Sequence, residues 1–199
     1  MDITIRKLTP ELTDDYVRFF DITPHDNHGD NDSVGEYSCY CVCWCNDDYE
    51  GKDLSTAEKR RKCAFQYVKN NNIQGYLAYS GDAVVGWCNA NTKSDCLKCY
   101  SWRQFMGYVT LDEPGIKVKS IFCFVIAPEM KRKGIATRLM ERVCEDATRD
   151  GFDFVEVYPY KESSYQSSNF GGYLEMYKKN GFDVSAEAGQ GLIMRKQLK

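Results

Sequence analysis

Residues 122–140 read FCFVIAPEMKRKGIATRLM, and this stretch decides which fold the chain is predicted to adopt. An apolar run typical of a buried strand stops at Pro128, and apolar residues at helical spacing begin directly after Gly134. A basic triplet at 131–133 lies between them. Because the first turn of a helix leaves backbone N–H groups without partners, such a junction favours a bound anion.

The basic triplet also has a simpler interpretation, as a solvated surface run beside a loop. Gly134 favours the anion site because it lets backbone N–H groups approach a phosphate, and Ala136 keeps the next turn slim. Composition and spacing alone leave both interpretations open. What they support is an anion of diphosphate size at the end of a central strand.

Length and composition indicate a single globular domain of the α/β or α+β class. The chain has 199 residues, of which 43% are apolar and 28% charged. Its net charge of -3 argues against a dedicated nucleic-acid binder, which usually has a basic face. The longest apolar run, 121–127, is far shorter than the roughly 20 residues of a membrane helix, and the start lacks a signal-peptide layout. We therefore expect a cytoplasmic protein with no membrane or nucleic-acid partner.

Hydrophobic periodicity predicts alternating strands and helices along most of the chain. Strands are expected at 3–5, 76–79, 83–89, 118–127 and 154–158 and near 184 and 192–195; helices are expected from Thr9, from Ser55 or Thr56 to about Asn70, and over 134–150 and 173–180. The order strand, helix, strand over 118–158 implies a parallel crossover in a mixed sheet. Two parts of this single domain, 1–199, lack such patterns: a cysteine-rich region at about 21–53 and an irregular segment at 91–115.

The cysteines raise the question of a metal site. Every second residue from Cys39 to Cys45 is cysteine, which predicts a strand over Tyr37–Cys45 with these thiols on one face. Together with Cys96 and Cys99 they could form a zinc site. However, side chains two residues apart on a strand are about 6.5 to 7 Å apart, too far for one zinc ion, and buried cysteines act as small apolar residues. We expect buried thiols and no metal, with a zinc-stabilised interaction module as the alternative.

Two motifs resemble the GNAT superfamily of N-acetyltransferases. The segment KRKGIA at 131–136 resembles that family's acyl-CoA signature Gln/Arg-x-x-Gly-x-Gly/Ala, and YKKNGF at 177–182 resembles its Tyr-x-x-x-Gly-Phe. Lys131 stands where the family usually has Gln or Arg, so Arg132 could supply the phosphate contact instead. The resemblance covers roughly 118–183, and it implies the GNAT fold, a central mixed sheet with helices on both faces.

The resemblance also implies which residues bind acetyl-CoA. In the family, a splayed strand pairs with the pantetheine arm and the following turn holds the phosphates. By position, the strand residues are Phe124, Val125 and Ile126, the turn residues are Lys131, Arg132, Lys133, Gly134, Ile135, Ala136 and Thr137, and Asn169 is a further contact.

The resemblance implies direct attack of an amine on the thioester, with a backbone N–H near Ile126 polarising the carbonyl. Tyr177 matches the family's general acid, which protonates the departing thiolate; its alternative role is a core aromatic of the last helix. The stretch Lys119–Val125 lacks the carboxylate that serves many members as base. Glu156, an acid within an apolar strand, is the nearest candidate for the base, with a solvent-facing position as the alternative.

The acceptor is not identified by the sequence. Acidic residues between 21 and 50 would attract a cationic amine, either a small molecule or a peptide. Trp44, Trp87 and Asn89 are candidates to line its pocket. The resemblance leaves a homodimer open, because many relatives are dimers. A non-catalytic acyl-CoA-binding sensor on the same fold is the main alternative to an enzyme.

Overall fold

The computed structural model of the chain describes residues 2–23, 40–47, 49–96, 99, 102, 114–162 and 171–199. Its strands are β1 (Thr4–Lys7), β2 (Gly75–Ser80), β3 (Ala83–Thr92), β4 (Val118–Ile126), β5 (Phe154–Val157), β6 (Asp183–Ala188) and β7 (Gly191–Gln197). Its helices are α1 (Thr13–Ile22), α2 (Ala57–Lys69), α3 (Lys93–Cys96), α4 (Ile135–Arg149) and α5 (Leu174–Lys179), with short 3-10 turns at Pro10–Leu12 and Pro128–Met130.

The described strands form one mixed sheet in the order β1-β2-β3-β4-β5-β7-β6. Neighbouring strands are antiparallel except β4 and β5, which are parallel and joined through α4. The predicted mixed sheet with a parallel crossover over 118–158 is therefore confirmed. The crossover places β4 at the middle of the sheet, where it is buried along almost its whole length.

Helices pack on both faces of the sheet. A Cβ atom built on Gly86 would lie 3.1 Å from Ile135 of α4, whereas the ring of Trp87 packs edge-on against Tyr16 of α1, with centroids 4.8 Å apart. Because successive strand residues point to opposite faces, α4 and α1 cover opposite sides of β3. This arrangement confirms the predicted fold class. No helix in the described part of the chain has the length and apolarity needed to cross a membrane.

Local signals fixed most helix ends correctly. Thr56 caps α2, since its hydroxyl accepts a hydrogen bond from the N–H of Lys59 at 3.2 Å. At the first helix, Pro10 begins a 3-10 turn and the α-helix itself starts only at Thr13. The predicted apolar stripe of α4 is buried, apart from a half-buried Ala136, because it faces the sheet.

Two predictions about the less patterned regions need correction. The strand over Tyr37–Cys45 is wrong where it is described: 40–47 forms turns and bends, and Tyr40 and Cys41 have φ angles of 49° and 50°, which a strand does not allow. Residues 37–39 lie outside the described residues. The segment 91–115 is more regular at its start than predicted, because β3 continues to Thr92 and α3 follows.

Candidate active site

The two parallel strands β4 and β5 separate about halfway along β4. Pairing between β4 and β5 runs from Val118 opposite Phe154 to Ile121 opposite Val157. Beyond Ile121, no strand among the described residues pairs with β4 on that side up to Ile126. At the same level the pairing of β4 with β3 shifts register between Asn89 and Ala90. Beyond this point, the edge of β4 that faces β5 has peptide groups available to a ligand.

The three predicted strand residues of the site lie in this unpaired part of β4. Phe124 and Val125 are buried, with 6% and 4% of their surfaces exposed, and Ile126 is half-buried. Their side chains therefore belong to the packed sheet. Their peptide groups are what an extended ligand arm would meet.

The turn that follows β4 ends at an uncapped helix start. Gly134 occupies the N-cap position with φ 77°, and no side chain among the described residues caps α4. Arg132 also has a positive φ, 62°, so the backbone curls on itself before the helix. Lys131, Arg132 and Lys133 are all exposed. A concave turn with free N–H groups and three solvated cations is a suitable cradle for phosphate.

The remaining predicted turn residues continue into α4. Ile135 is buried, whereas Ala136 and Thr137 are half-buried at the helix start, where their backbone N–H groups lie in the first turn. Asn169 lies outside the described residues.

Gly86 of β3 supports this turn, and the sequence analysis did not single it out. A Cβ atom there would lie 2.9 Å from Cδ1 of Ile126 and 3.1 Å from Cγ2 of Ile135. The last residue of β4 and the first residue of α4 thus fill the space that Gly86 leaves empty. A glycine inside an otherwise apolar strand was the available signal, since it marks a close approach.

Tyr177 is fully buried at the end of α5. Its hydroxyl donates a 2.5 Å hydrogen bond to the carbonyl of Gly171, and its ring packs against Phe182 with centroids 5.3 Å apart. Burial raises the pKa of Tyr177 well above its usual value, so the hydroxyl retains its proton at neutral pH. The side chain is thus a core aromatic of α5 with a protonated hydroxyl.

Glu156 is buried and paired, so its predicted solvent-facing alternative is wrong. One carboxylate oxygen, Oε1, lies 2.9 Å from Nζ of Lys93, and the other, Oε2, lies 2.5 Å from Nε of Arg195. Glu156 is fully buried and Lys93 is 3% exposed. Sequence reasoning missed both cations, although a carboxylate in a buried strand requires such partners.

Tyr158 connects this ion pair to the point where the strands separate. Its hydroxyl donates a 2.6 Å hydrogen bond to Oε1 of Glu156 and lies 2.8 Å from Oγ of Ser120. Because the phenol has one proton, and that proton goes to Glu156, Ser120 must be the donor in the second bond. Tyr158 follows the last residue of β5, and its ring stacks on Phe122 of β4 at 5.6 Å.

The predicted acceptor-pocket residues serve mainly to hold the segment 40–47 against the sheet. Trp87 is fully buried, and its indole N–H donates to Sγ of Cys41 at 3.3 Å. The amide of Asn89 donates to the carbonyl of Trp44 at 2.9 Å. Trp44 itself is half-buried and stacks on Phe122 at 4.9 Å, so of these three only Trp44 reaches the surface near the separated strands.

The cysteines that the structure describes are free thiols. Sγ of Cys41 lies 3.2 Å from Sγ of Cys123 on β4, and Sγ of Cys99 donates to the carbonyl of Cys43 at 3.0 Å. Within the described ranges, no three His, Cys, Asp or Glu side chains are arranged to hold a metal ion. Cys39 lies outside these ranges.

A family model and solved structures match this chain. The model described as the acetyltransferase (GNAT) family matches residues 38–182. No curated protein matches the sequence. Solved structures match in fold, including PaiA N-acetyltransferase from Thermoplasma acidophilum in complex with coenzyme A, with TM-score 0.55, 16% identity and 99% of each chain covered.

Two further solved structures have the same fold. A GNAT-family acetyltransferase from Streptococcus pneumoniae has TM-score 0.54 and 16% identity, with 100% of each chain covered. The ribosomal-protein-S18-alanine N-acetyltransferase of Escherichia coli has TM-score 0.52 and 11% identity, with 100% of this chain and 95% of that chain covered. With the family model spanning most of the sequence, these matches confirm the resemblance: the chain belongs to the GNAT family of acetyltransferases.

Proposed function

We propose that the chain transfers an acetyl group from acetyl-CoA to a primary amine by direct attack. The proposal rests on one observation: the unpaired edge of β4 leads directly into an uncapped helix start at Gly134. A ligand with an extended arm of amide groups followed by a diphosphate fits these two features: the amides pair with the edge of β4, and the diphosphate lies at the helix start. Acetyl-CoA, when bound, supplies such an arm and an activated acetyl thioester.

The binding residues follow from this fit. Peptide groups of Phe124, Val125 and Ile126 pair with the arm, and main-chain donors from Gly134 to Thr137 receive the diphosphate. The ammonium and guanidinium groups at 131–133 are exposed and add electrostatic attraction for the diphosphate. Asn169 is proposed as a further contact, on the family resemblance alone.

Tyr177 is proposed as the general acid. The acceptor nitrogen forms its bond to the acetyl carbon while the carbon–sulfur bond breaks, and Tyr177 donates its hydroxyl proton to the departing sulfur. The hydroxyl carries its proton before the reaction, as a general acid must, although the burial that raises the pKa of Tyr177 also makes it a weaker proton donor. To act, the hydroxyl must exchange the carbonyl of Gly171, its present acceptor, for the sulfur.

Glu156 is proposed to take up the proton of the amine through Tyr158. Both oxygens of Glu156 already have partners, so an acceptor amine would meet the hydroxyl of Tyr158 rather than the carboxylate. In this arrangement the amine gives its proton to Tyr158 as Tyr158 gives its own to Glu156, and the proton then returns to solvent. Ser120 keeps the phenol oxygen oriented by its hydrogen bond.

The acceptor is proposed to be a cationic amine of a small molecule or a peptide. The acidic composition of 21–50 supports this class, but described members of that set already have cationic partners. Asp21 pairs with Arg61 at 3.0 Å, and Asp47 pairs with Lys52 at 3.0 Å. Their negative charge is therefore partly neutralised, and steric fit near Trp44 is expected to contribute to selection.

The test measures binding and turnover separately. Calorimetric titration with coenzyme A establishes binding, and release of free thiol from acetyl-CoA is then followed with a panel of polyamines, aminoglycosides and peptide amines. We expect binding, and thiol release that depends on at least one amine. Binding without transfer to any amine would favour an acyl-CoA-binding sensor. Absence of coenzyme A binding would overturn the proposed function.

A further inference from the structure

A cavity of about 240 Å³ lies at the end of β4 opposite to the turn at 131–136. It is lined by Lys7 at the end of β1, Gln74 and Gly75 at the start of β2, and Lys119 near the start of β4. Lys119 is the second residue of the nine-residue strand β4, so the rest of the strand separates it from that turn by more than about 20 Å. The cavity is thus a different place on the molecule from the proposed acetyl-CoA site.

The buried wall of the cavity carries an ammonium group. Lys119 is 7% exposed, its Nζ lies 3.4 Å from Oε1 of Gln74, and it sits over the ring of Phe152 at 5.5 Å. No carboxylate among the described residues forms a salt bridge with it. Lysine is rarely this buried without an anionic partner, because burial removes the water that stabilises its charge.

A second ammonium group, on Lys7, lines the rim of the same cavity. It is 55% exposed and lies 3.8 Å from Asp150 at the end of α4. The two lysines repel one another, and burial together with Lys7 lowers the pKa of Lys119 to about 8. Cys96, Asp95 and Asp150 act in the opposite direction, but their effects are smaller. A ligand anion between the lysines would remove both the repulsion and the cost of burial.

The rest of the lining is mixed. Leu8, Ile73, Ala90 and Tyr76 give an apolar surface, and the amides of Asn71 and Gln74 add polar groups. The volume is below the range typical of sites for drug-sized ligands, so the ligand must be small. A short apolar body with one oxyanion group fits both the surface and the charge.

We propose that this cavity binds a small organic oxyanion, a carboxylate or a phosphate ester, with its charged group between Lys119 and Lys7. The apolar body lies against Leu8 and Ile73. The amide of Gln74, which now accepts from Lys119, turns to donate to the anion or remains on the ammonium. The proposal is independent of the acetyl-transfer activity, because none of its residues belongs to the acetyl-CoA site.

The test compares butyrate with butyramide, its uncharged counterpart of the same shape, and adds inorganic phosphate as a second anion at constant ionic strength. Ligands that bind only the folded state raise the melting temperature. We expect stabilisation by at least one anion at about 50 mM and none by butyramide. The anion with the lower Kd assigns the head group as carboxylate or phosphate. No stabilisation by either anion would overturn the proposal.

Variants locate the site. Lys119→Met keeps the aliphatic stem and removes the buried charge, so it is expected to fold and to weaken anion binding at least tenfold. Lys117→Met removes an exposed lysine two residues away and should leave the Kd within twofold. Equal anion-dependent shifts in wild type and Lys119→Met would show that the ions bind elsewhere, including at the turn, and would reject the site.

A second readout follows the titration of Lys119 in the wild-type protein, with the variant used only to assign its resonance. In lysine-labelled protein, the resonance lost in Lys119→Met identifies Lys119, and its pH titration reports the pKa directly. An anion bound beside the ammonium must raise this pKa from about 8. An unchanged titration at a saturating anion concentration would contradict the proposal even if the melting temperature rose.

Discussion

The two ends of β4 place cationic side chains in opposite surroundings. Beyond its carboxyl end, Lys131 and Lys133 are exposed beside a helix start with free N–H groups. Near its amino end, Lys119 is almost fully buried and its pKa is lowered to about 8. Water solvates the first pair, whose ammonium groups are exposed and placed to attract phosphate. The buried lysine holds its charge only weakly. The surroundings, rather than the residue type, decide what each lysine does.

The largest effect is expected from the buried ion pair next to Lys119 on the sheet. Glu156→Gln leaves Lys93 and Arg195 without their carboxylate, and breaking a buried pair from one side costs about 3 to 5 kcal/mol. Urea denaturation measures the loss. Glu187→Gln removes the exposed partner of Lys161 and should cost less than about 1 kcal/mol. Similar losses of stability in both variants would show that burial does not determine how much each ion pair contributes to the free energy of unfolding.

The next largest effect is expected from the proposed general acid. Tyr177→Phe removes the proposed proton donor, so kcat should fall by about tenfold or more while the Kd of acetyl-CoA changes little. The matched control is Tyr173→Phe, which changes an exposed tyrosine just before the same helix. Steady-state thiol release measures kcat, and calorimetry measures the Kd of acetyl-CoA. An unchanged kcat would leave Tyr177 only its core-packing role.

A smaller effect is expected from replacing the glycine of the turn at 131–136, compared with the glycine of the β2–β3 hairpin turn. Gly134→Ala forces a side chain into a left-handed position, costing about 1 kcal/mol, and the relaxed turn should raise the KM for acetyl-CoA by roughly fivefold. Gly81→Ala imposes a similar strain in the β2–β3 hairpin, where φ is 60°. That variant should lose comparable stability without a change in KM. Equal KM values for both variants would remove the turn from the binding site.

The smallest effect concerns pH. The folded protein releases the proton of Lys119 near pH 8, whereas the unfolded chain holds it up to about 10.5, so the unfolded state binds more protons between these values. Stability from this group therefore rises with pH, by under about 1 kcal/mol between pH 7.5 and 8.5. Denaturant titrations at both pH values give the free energy of unfolding of wild type and of Lys119→Met. The difference between the two proteins isolates the contribution of Lys119. A difference that is flat or falls with pH contradicts the lowered pKa.

The part of the fold that could be predicted from the sequence is the part set by local patterns. The apolar run of β4, the turn and the stripe of α4 are adjacent in sequence, so their periodicity and the glycine at 134 specify them directly. The alternating cysteines gave a wrong prediction because it also rested on a local pattern. A period of two indicates a strand, but Tyr40 and Cys41 adopt left-handed backbone angles that a strand does not allow.

The interactions that could not be predicted join distant segments. Glu156 meets Arg195 from the last strand and Lys93 from the segment predicted to be irregular. Nothing near Glu156 in the sequence indicates either partner, because pairing across a sheet depends on register between strands. The cavity beside Lys119 has the same origin, since its two lysines come from β1 and β4 and the strand β2 lies between those elements in sequence.

The missing side chain at Gly86 makes the β2–β3 hairpin part of the support for the turn at 131–136. Two isoleucines, from the strand before the turn and the helix after it, rest on that bare stretch of backbone. A methyl group placed there would press on both isoleucines and would also touch Ala78 of β2, so a substitution inside the hairpin is expected to displace the turn at 131–136. Natural variants that differ at position 86 are therefore expected to alter the proposed acetyl-CoA site as well as the hairpin.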